Sequence, residues 1–284
     1  MAEEDRDGRI QAHPARSGLT AKTPRRFAPA SPIGVFDSGL GGLSVLRALR
    51  AGLPLEHFIY FADTGHAPYG ERSDAFVAQR SLEIARLLVD EHGVKAIVVA
   101  CNTATAAAIH VIREAYPNLP VVGVEPGLKP AVAASNTKRI GVLATRGTLA
   151  SAKFRSLHDS LQDRASFVLQ ACDGLADAIE RDDAALIARL SAQYVRALGE
   201  FGTCDGQIDT LVLGCTHYPL VRDRFASLAG ARVRLIETGE PVARQTRSLL
   251  DAAALLGTGR GRLTLLGTGN MAILEASVTR WVGA

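Results

Sequence analysis

The chain has 284 residues, of which 47% are hydrophobic and 5% aromatic, so it can bury a large aliphatic core as one big domain or two small ones. Its formal charge is +3, and residues 1–31 carry six basic and four acidic side chains, which leaves the rest nearly neutral and does not indicate a nucleic-acid partner. No apolar run reaches the roughly 18 residues of a membrane span, and no apolar signal segment follows the start.

Residues 1–31 are predicted to form a disordered tail. Prolines at positions 14, 24 and 29 stand among Arg, Ser and Ala, which is typical of segments that cannot bury enough apolar surface to fold. A transit peptide would also be rich in Arg and Ser, but the acidic residues at positions 3, 4, 5 and 7 argue against one.

Strand-like apolar runs alternate with amphipathic or alanine-rich segments after the tail. Strands are predicted at residues 33–36, 58–62, 96–100, 121–124, 140–144, 167–171, 210–213, 233–236 and 263–266. Helices are predicted at about residues 42–51, 73–92, 103–115, 151–161, 182–201 and 243–256. This alternation, with strands that are apolar throughout, predicts parallel sheets covered by crossover helices on both faces.

An internal duplication is indicated by three matched pairs of segments. The clearest pair is IVVACNTAT at residues 97–105 and LVLGCTHYP at 211–219, each a strand followed by a cysteine and hydroxylated residues. We therefore predict an α/β protein of two pseudo-symmetric, doubly wound parallel-sheet domains with the active site in the cleft between them. The expected domains are residues 32–125 plus 235–284 and residues 126–234.

The cysteines are the main candidates for chemistry. Cys101 and Cys215 each follow a strand and precede a helix, where amide groups are expected to lower the pKa of a thiol. Cys172 and Cys204 are interpreted as small buried hydrophobes. No two cysteines form a CxxC pair, so a reducing, cytoplasmic setting is expected.

Three other uses of these cysteines stay open at this point. His217 could serve Cys215 as the base of a cysteine hydrolase, which would leave Cys101 unexplained. A zinc site from Cys101, Cys215 and His217 has no standard ligand spacing. Disulfide exchange between the two thiols would leave their polar neighbours without a role.

Other polar residues also follow predicted strands. Asp37 and Ser38 begin the glycine-rich turn DSGLGG, which lacks the full spacing of a dinucleotide site. The loop at residues 63–72 is polar, and backbone donors at Tyr69 and Gly70 could bind a carboxylate. Glu125 follows the strand at residues 121–124. Ligands of open α/β sheets bind at these carboxyl ends.

Five segments in this order closely resemble the cofactor-independent aspartate/glutamate racemase superfamily: FDSGLGGLSVLR, YFADTGHAPYGERS, VVACNTATAAA, VVGVEPG and LVLGCTHYPL. The resemblance runs from about residue 32 to the C-terminus. It implies a proton transfer at Cα that interconverts L- and D-glutamate, supplying D-glutamate for bacterial peptidoglycan without a cofactor. Aspartate or another amino acid is the nearer alternative substrate, and a sensor that binds an amino acid without catalysis is the more distant one.

The resemblance also implies residue roles. Cys101 and Cys215 would be catalytic, the first acting on D-glutamate with the help of Asp37 and the second on L-glutamate with the help of His217. Implied substrate-binding residues are Asp37, Ser38, Tyr69, Gly70, Asn102, Thr103, Thr216 and His217. From their residue types, we also expect the Thr105 hydroxyl to donate a hydrogen bond to the substrate and Glu125 to act as an auxiliary acid. We expect no metal, no membrane or nucleic-acid partner, and a homodimer.

Overall fold

The structure is a computed structural model that describes residues 27–283. Its strands are β1 (Ile33–Asp37), β2 (Phe58–Ala62), β3 (Ala96–Val99), β4 (Val121–Gly123), β5 (Arg139–Ala144), β6 (Ser166–Ala171), β7 (Thr210–Leu213), β8 (Arg234–Ile236) and β9 (Leu263–Gly267). They form two parallel sheets, with the strand orders β4-β3-β1-β2-β9 and β6-β5-β7-β8. The predicted α/β class with two parallel sheets is confirmed.

The helices cover both faces of each sheet. They are α1 (Leu43–Gly52), α2 (Asp74–Arg86), α3 (Asn102–Ala115), α4 (Leu128–Ala134), α5 (Arg146–Ala150), α6 (Ala152–Asp159), α7 (Leu175–Glu180), α8 (Ala184–Leu198), α9 (Arg222–Ala229), α10 (Gly239–Ala252) and α11 (Met271–Trp281). Four buried apolar clusters lie between helices and sheets. Five of these helices, α4, α5, α7, α9 and α11, lie outside the predicted set.

Strand pairing bears on the expected domain division. β9 completes the first sheet beside β2. The expected boundary after residue 234 falls inside β8, which pairs with β7, so the second sheet extends to Ile236. The division of the chain into the two expected domains stays a prediction.

Residues 27–31, which the tail prediction included, contact the fold. Phe27 packs against the apolar clusters of the first sheet, and the Ser31 amide donates to the Ala28 carbonyl at 2.9 Å. The rest of the predicted tail lies outside the described residues. Within residues 27–283 we find no helix long and apolar enough to cross a membrane.

A buried ion pair lies at the amino end of the first sheet. The Lys95 ammonium is 2.5 Å from Glu56 Oε2 and donates to the Pro29 carbonyl at 2.5 Å, and both charged side chains are almost fully buried. Glu56 Oε1 also accepts from the Gly257 amide at 2.7 Å. The pair therefore connects the starts of β2 and β3 with two segments that are distant in sequence.

Replacing Lys95 by Met should lower the free energy of unfolding by about 3 to 5 kcal/mol, because the change leaves the Glu56 carboxylate buried without its cation. Arg244→Met is the control, since Arg244 and Glu240 form an exposed pair on α10 and exposed pairs contribute about 0 to 1 kcal/mol. Urea denaturation at neutral pH measures both variants. Equal losses would show that burial does not distinguish the two pairs.

Candidate active site

The two predicted thiols line one pocket between the sheets. Cys101 follows β3 of the first sheet and Cys215 follows β7 of the second. Nine predicted site residues line it: Ser38, Tyr69, Gly70, Cys101, Asn102, Thr103, Cys215, Thr216 and His217. Residues that were not predicted also line it, among them Thr145, Arg146, Cys172 and Asp173.

Cys101 is held by the first turn of α3. Its Sγ accepts from the Ala104 amide at 3.4 Å, and the thiol donates to Ser38 Oγ at 3.8 Å. Burial, followed by the negative charge of Asp37, raises the pKa of Cys101 to about 12. The sequence predicted a lowered pKa for this thiol, and that expectation is wrong because the single amide contact does not outweigh burial.

Asp37 lies behind Ser38 rather than in the pocket wall. The buried carboxylate accepts from Ser38 Oγ at 2.9 Å, from the Gly39 amide at 3.1 Å and from Thr216 Oγ1 at 3.0 Å. Burial raises its pKa to about 6, against the lowering effect of His217. Because Ser38 Oγ contacts both Asp37 and Cys101, a proton can pass from the thiol to the carboxylate through this hydroxyl.

Cys215 has a different proton partner. Its Sγ is 3.7 Å from His217 Nδ1, and His217 Nε2 is 2.6 Å from Glu180 Oε2. Burial acts to lower the pKa of His217, but the hydrogen bonds and charges of Cys215 and Glu180 outweigh it and raise that pKa well above its usual range. The raised pKa favours the imidazolium form, whose positive charge lies beside the Cys215 thiol.

Glu180, at the end of α7, is a site residue that the sequence analysis did not identify. Besides His217, both of its carboxylate oxygens accept from the Leu40 amide at 3.0 Å. Leu40 belongs to the glycine-rich turn after β1, so Glu180 joins the two sides of the cleft. Glu180 is one of several acidic residues close together in the sequence, on a short helix that was not predicted, so no sequence signal distinguished it for this role.

The glycines of that turn are required by close contacts. A Cβ on Gly39 would lie 2.3 Å from Glu180 Oε1, and a Cβ on Gly41 would lie 2.4 Å from His217 Nδ1. A Cβ on Gly42 would lie 2.6 Å from Asp37 Cβ. The turn is therefore a close approach of backbone to three site residues, and any side chain there would displace them.

The loop that carries Tyr69 and Gly70 is fixed by a buried carboxylate. Asp63 accepts from Arg80 Nε at 2.8 Å and Nη2 at 2.9 Å, from the Tyr69 hydroxyl at 2.5 Å and from Thr268 Oγ1 at 2.8 Å. Burial alone would raise the pKa of Asp63, but these donors lower it overall. The charged network holds the loop against the pocket.

Asn102 shows that the pocket is built for a polar ligand. Its side-chain oxygen and nitrogen are both buried and have no hydrogen-bond partner in the structure. Leaving a buried amide unpaired is costly. Since Asn102 lines the pocket beside Cys101, a ligand with both donors and acceptors would satisfy it.

Besides Asp37, two further predicted site residues do not line the pocket. The Thr105 hydroxyl donates to the Val99 carbonyl at 3.1 Å and accepts from the Val124 amide at 3.0 Å, so its hydrogen bonds are used inside the first sheet. Glu125 is 55% exposed and pairs with Lys153 at 3.2 Å. It lines a separate cavity with Arg113 and Thr238, because β4 is an edge strand of its sheet.

The remaining cysteines and the zinc alternative can also be placed. Cys172 is buried and lines the pocket, whereas Cys204 is exposed, which differs from its interpretation as a buried hydrophobe. Among residues 27–283, no three His, Cys, Asp or Glu side chains are grouped as metal ligands would be. The zinc alternative thus has no site in this part of the chain.

Comparison with known proteins gives the family. The model of the Asp/Glu/Hydantoin racemase family matches residues 33–246. The chain belongs to this family. A glutamate racemase of Ralstonia pickettii is 47% identical over 256 residues, covering 89% of this chain and 88% of that protein.

Solved structures agree with this racemase family. A glutamate racemase isoform, RacE1, from Bacillus anthracis has a TM-score of 0.79 and 32% identity, covering 89% of this chain and 94% of that chain. The Francisella tularensis subsp. tularensis glutamate racemase, solved in complex with D-glutamate, has a TM-score of 0.76 and 28% identity, covering 90% and 95%. The recognition of the family from sequence is confirmed.

Replacing Glu180 by Gln should lower the pKa of His217, because the carboxylate that stabilises the imidazolium is lost. A raised histidine pKa contributes stability below the unfolded value of about 6.5, and this contribution is lost as the pH rises through the folded value. The variant should therefore lose less stability than the parent as the pH is raised above neutrality. NMR titration of the imidazole signals and thermal unfolding at several pH values measure the two effects.

His57 is the internal control of that titration. Burial and the nearby Arg262 lower its pKa, and neither is changed by the Glu180 substitution. An unchanged pKa of His217 in the Glu180→Gln variant would show that Glu180 does not raise this pKa.

Proposed function

We propose that this protein racemises glutamate, with one thiol acting on each face of Cα. The observation that carries the proposal is that two free, buried cysteines reach one pocket from two different sheets. Each has its own proton partner, Asp37 through Ser38 for Cys101 and His217 for Cys215. Inverting a carbon centre requires a base on one face and an acid on the other.

The proposed reaction begins when a thiolate removes the α-proton. Negative charge then develops on the α-carboxylate, and preorganised donors stabilise it where water is excluded. Asn102, with its unpaired amide, is suited to this task, and Thr103 and Thr216 line the same pocket. The opposite thiol returns a proton to the other face. No step uses a cofactor or metal.

Glutamate is proposed as the substrate on the strength of the relatives, since the Ralstonia pickettii protein is named a glutamate racemase and the Francisella structure holds D-glutamate. Tyr69 and Gly70 would bind a substrate carboxylate from the fixed loop. Aspartate, or another amino acid, is the competing substrate. We further propose a cytoplasmic homodimer that supplies D-glutamate for peptidoglycan.

Replacing Cys101 or Cys215 by Ser should reduce racemisation about 10²- to 10⁴-fold, because a hydroxyl is a much weaker acid than a thiol and one proton transfer loses its partner. Cys204→Ser, at an exposed position, is the matched control and should keep full activity. Circular dichroism of L-glutamate with purified protein and no added cofactor measures all three. Calorimetric binding without any decay of the signal in the parent protein would favour the sensor.

Racemisation in deuterated water distinguishes a mechanism with two bases from a mechanism with one. With two thiols, the newly formed enantiomer should carry deuterium at Cα from the earliest times, while recovered substrate stays largely protiated. Label that appears equally early in both enantiomers would indicate a single base. A hydrolase or a disulfide-exchange protein would show no exchange at Cα.

The two faces can be assigned with Asp37→Asn and His217→Asn. We propose that Cys101 deprotonates D-glutamate, so the first variant should depress kcat more from D-glutamate and the second more from L-glutamate. In the parent, kcat from D-glutamate should fall as the pH drops through about 6, where Asp37 becomes protonated. That acid limb should be absent in Asp37→Asn.

The equilibrium constant between the enantiomers limits how this asymmetry can be seen. The ratio of kcat/KM in the two directions is fixed, so only kcat and KM taken separately can differ between directions. Initial rates from each enantiomer over a range of concentrations supply both parameters. The same proportional changes in both variants would refute the face assignment and leave racemisation intact.

A further inference from the structure

The wall of the pocket carries an uneven set of charges. Besides the His217 imidazole, its lining includes three carboxylates, those of Glu71, Asp173 and Asp177, and one guanidinium, that of Arg146. Glutamate brings two carboxylates and one ammonium group. With Cα between the thiols, the side-chain carboxylate is the end of glutamate that can extend to this wall, and the Arg146 guanidinium is a group of the wall that can pair with it.

Arg146 is placed beside the loop of Gly70. It follows Thr145, the residue after β5, and Thr145 Oγ1 is 3.4 Å from Thr103 Oγ1. A Cβ on Gly70 would lie 3.3 Å from Thr145 Cβ, and a Cβ on Gly147 would lie 3.3 Å from the Gly70 carbonyl oxygen. The residues on both sides of Arg146 thus pack against the loop that offers backbone donors to a carboxylate.

The present partner of Arg146 is easily exchanged. The guanidinium contacts the Asp173 carboxylate, and the two side chains are 70% and 53% exposed. Exposed ion pairs stabilise a fold very little. Because arginine forms charged hydrogen bonds to carboxylates in general, a substrate carboxylate can replace Asp173 at little cost to the fold.

We propose that Arg146 is a specificity-determining residue that binds the side-chain carboxylate of glutamate, leaving Asp173 when the substrate enters. Asp173 is then a competitor for the guanidinium and weakens binding. The inference rests on the proposed function, since it assigns one end of that substrate. It also explains how an acidic wall admits a substrate with a net negative charge.

Arg146→Met should raise KM for both enantiomers about tenfold, because a charged hydrogen bond is lost. The value of kcat should change much less, since the side-chain carboxylate is bound equally in the ground state and the transition state. Asp173→Asn should act in the opposite direction and lower KM about threefold, because the competing carboxylate is neutralised. Initial rates from L- and D-glutamate measure both.

Equilibrium binding gives a readout that does not need turnover. Calorimetry with D-glutamate and with glutamine, whose side chain is a neutral amide, should show a preference for glutamate in the parent that shrinks about tenfold in Arg146→Met. Arg244→Met is the control, because Arg244 pairs with an exposed acid outside the pocket. It should leave KM and both dissociation constants unchanged.

The outcomes separate this inference from the proposed function. An unchanged KM and an unchanged preference in Arg146→Met would overturn the inference while racemisation stands. A rise of KM in both Arg146→Met and Asp173→Asn would overturn it too, because that pattern belongs to a structural ion pair. A parent protein that binds glutamate but does not racemise it, with binding weakened in Arg146→Met, would overturn the proposed function and support the inference.

Discussion

The arrangement of the cleft depends on a carboxylate that has been removed from water between the two sheets. Asp37 is fully buried, and a buried polar group of this kind requires hydrogen-bond donors. One of its donors, Thr216, follows β7 of the opposite sheet. The hydrogen bond from Thr216 to Asp37 therefore has two effects. It gives the buried carboxylate a donor, and it holds the segment of Cys215 against the first sheet, which carries Cys101.

A second acid repeats this arrangement from the other side. Glu180 lies beyond β6 in the second sheet's half of the structure and reaches His217 and the Leu40 amide of the first. Its contact with the turn after β1 leaves no room for a side chain at Gly39. The glycine-rich motif is thus explained by the space that the acids and the imidazole occupy, and a phosphate-binding role is not needed to account for it.

Local sequence signals predicted the fold and the thiols, and contacts distant in sequence were missed. All nine described strands were predicted to within a few residues, because an apolar run between helical segments is a local pattern. Glu180 was missed because its partner, His217, is 37 residues away. Glu125 was predicted at the cleft because it follows a strand, as the cysteines do. The sequence gives the order of strands along the chain, but the distance of Glu125 from the thiols depends on the order of strands in the sheet, where β4 lies at the edge.

The position of β9 has a consequence for how the chain folds as it is synthesised. β2 pairs with β9, so Phe58 has no partner on this side until Leu263 is synthesised, after all strands of the second sheet. Until then β2 is an open edge, and an apolar strand with unpaired amide and carbonyl groups is a template for association with other chains. The return of the chain to the first sheet therefore leaves this edge of β2 without its neighbour until residues 263–267 have been synthesised.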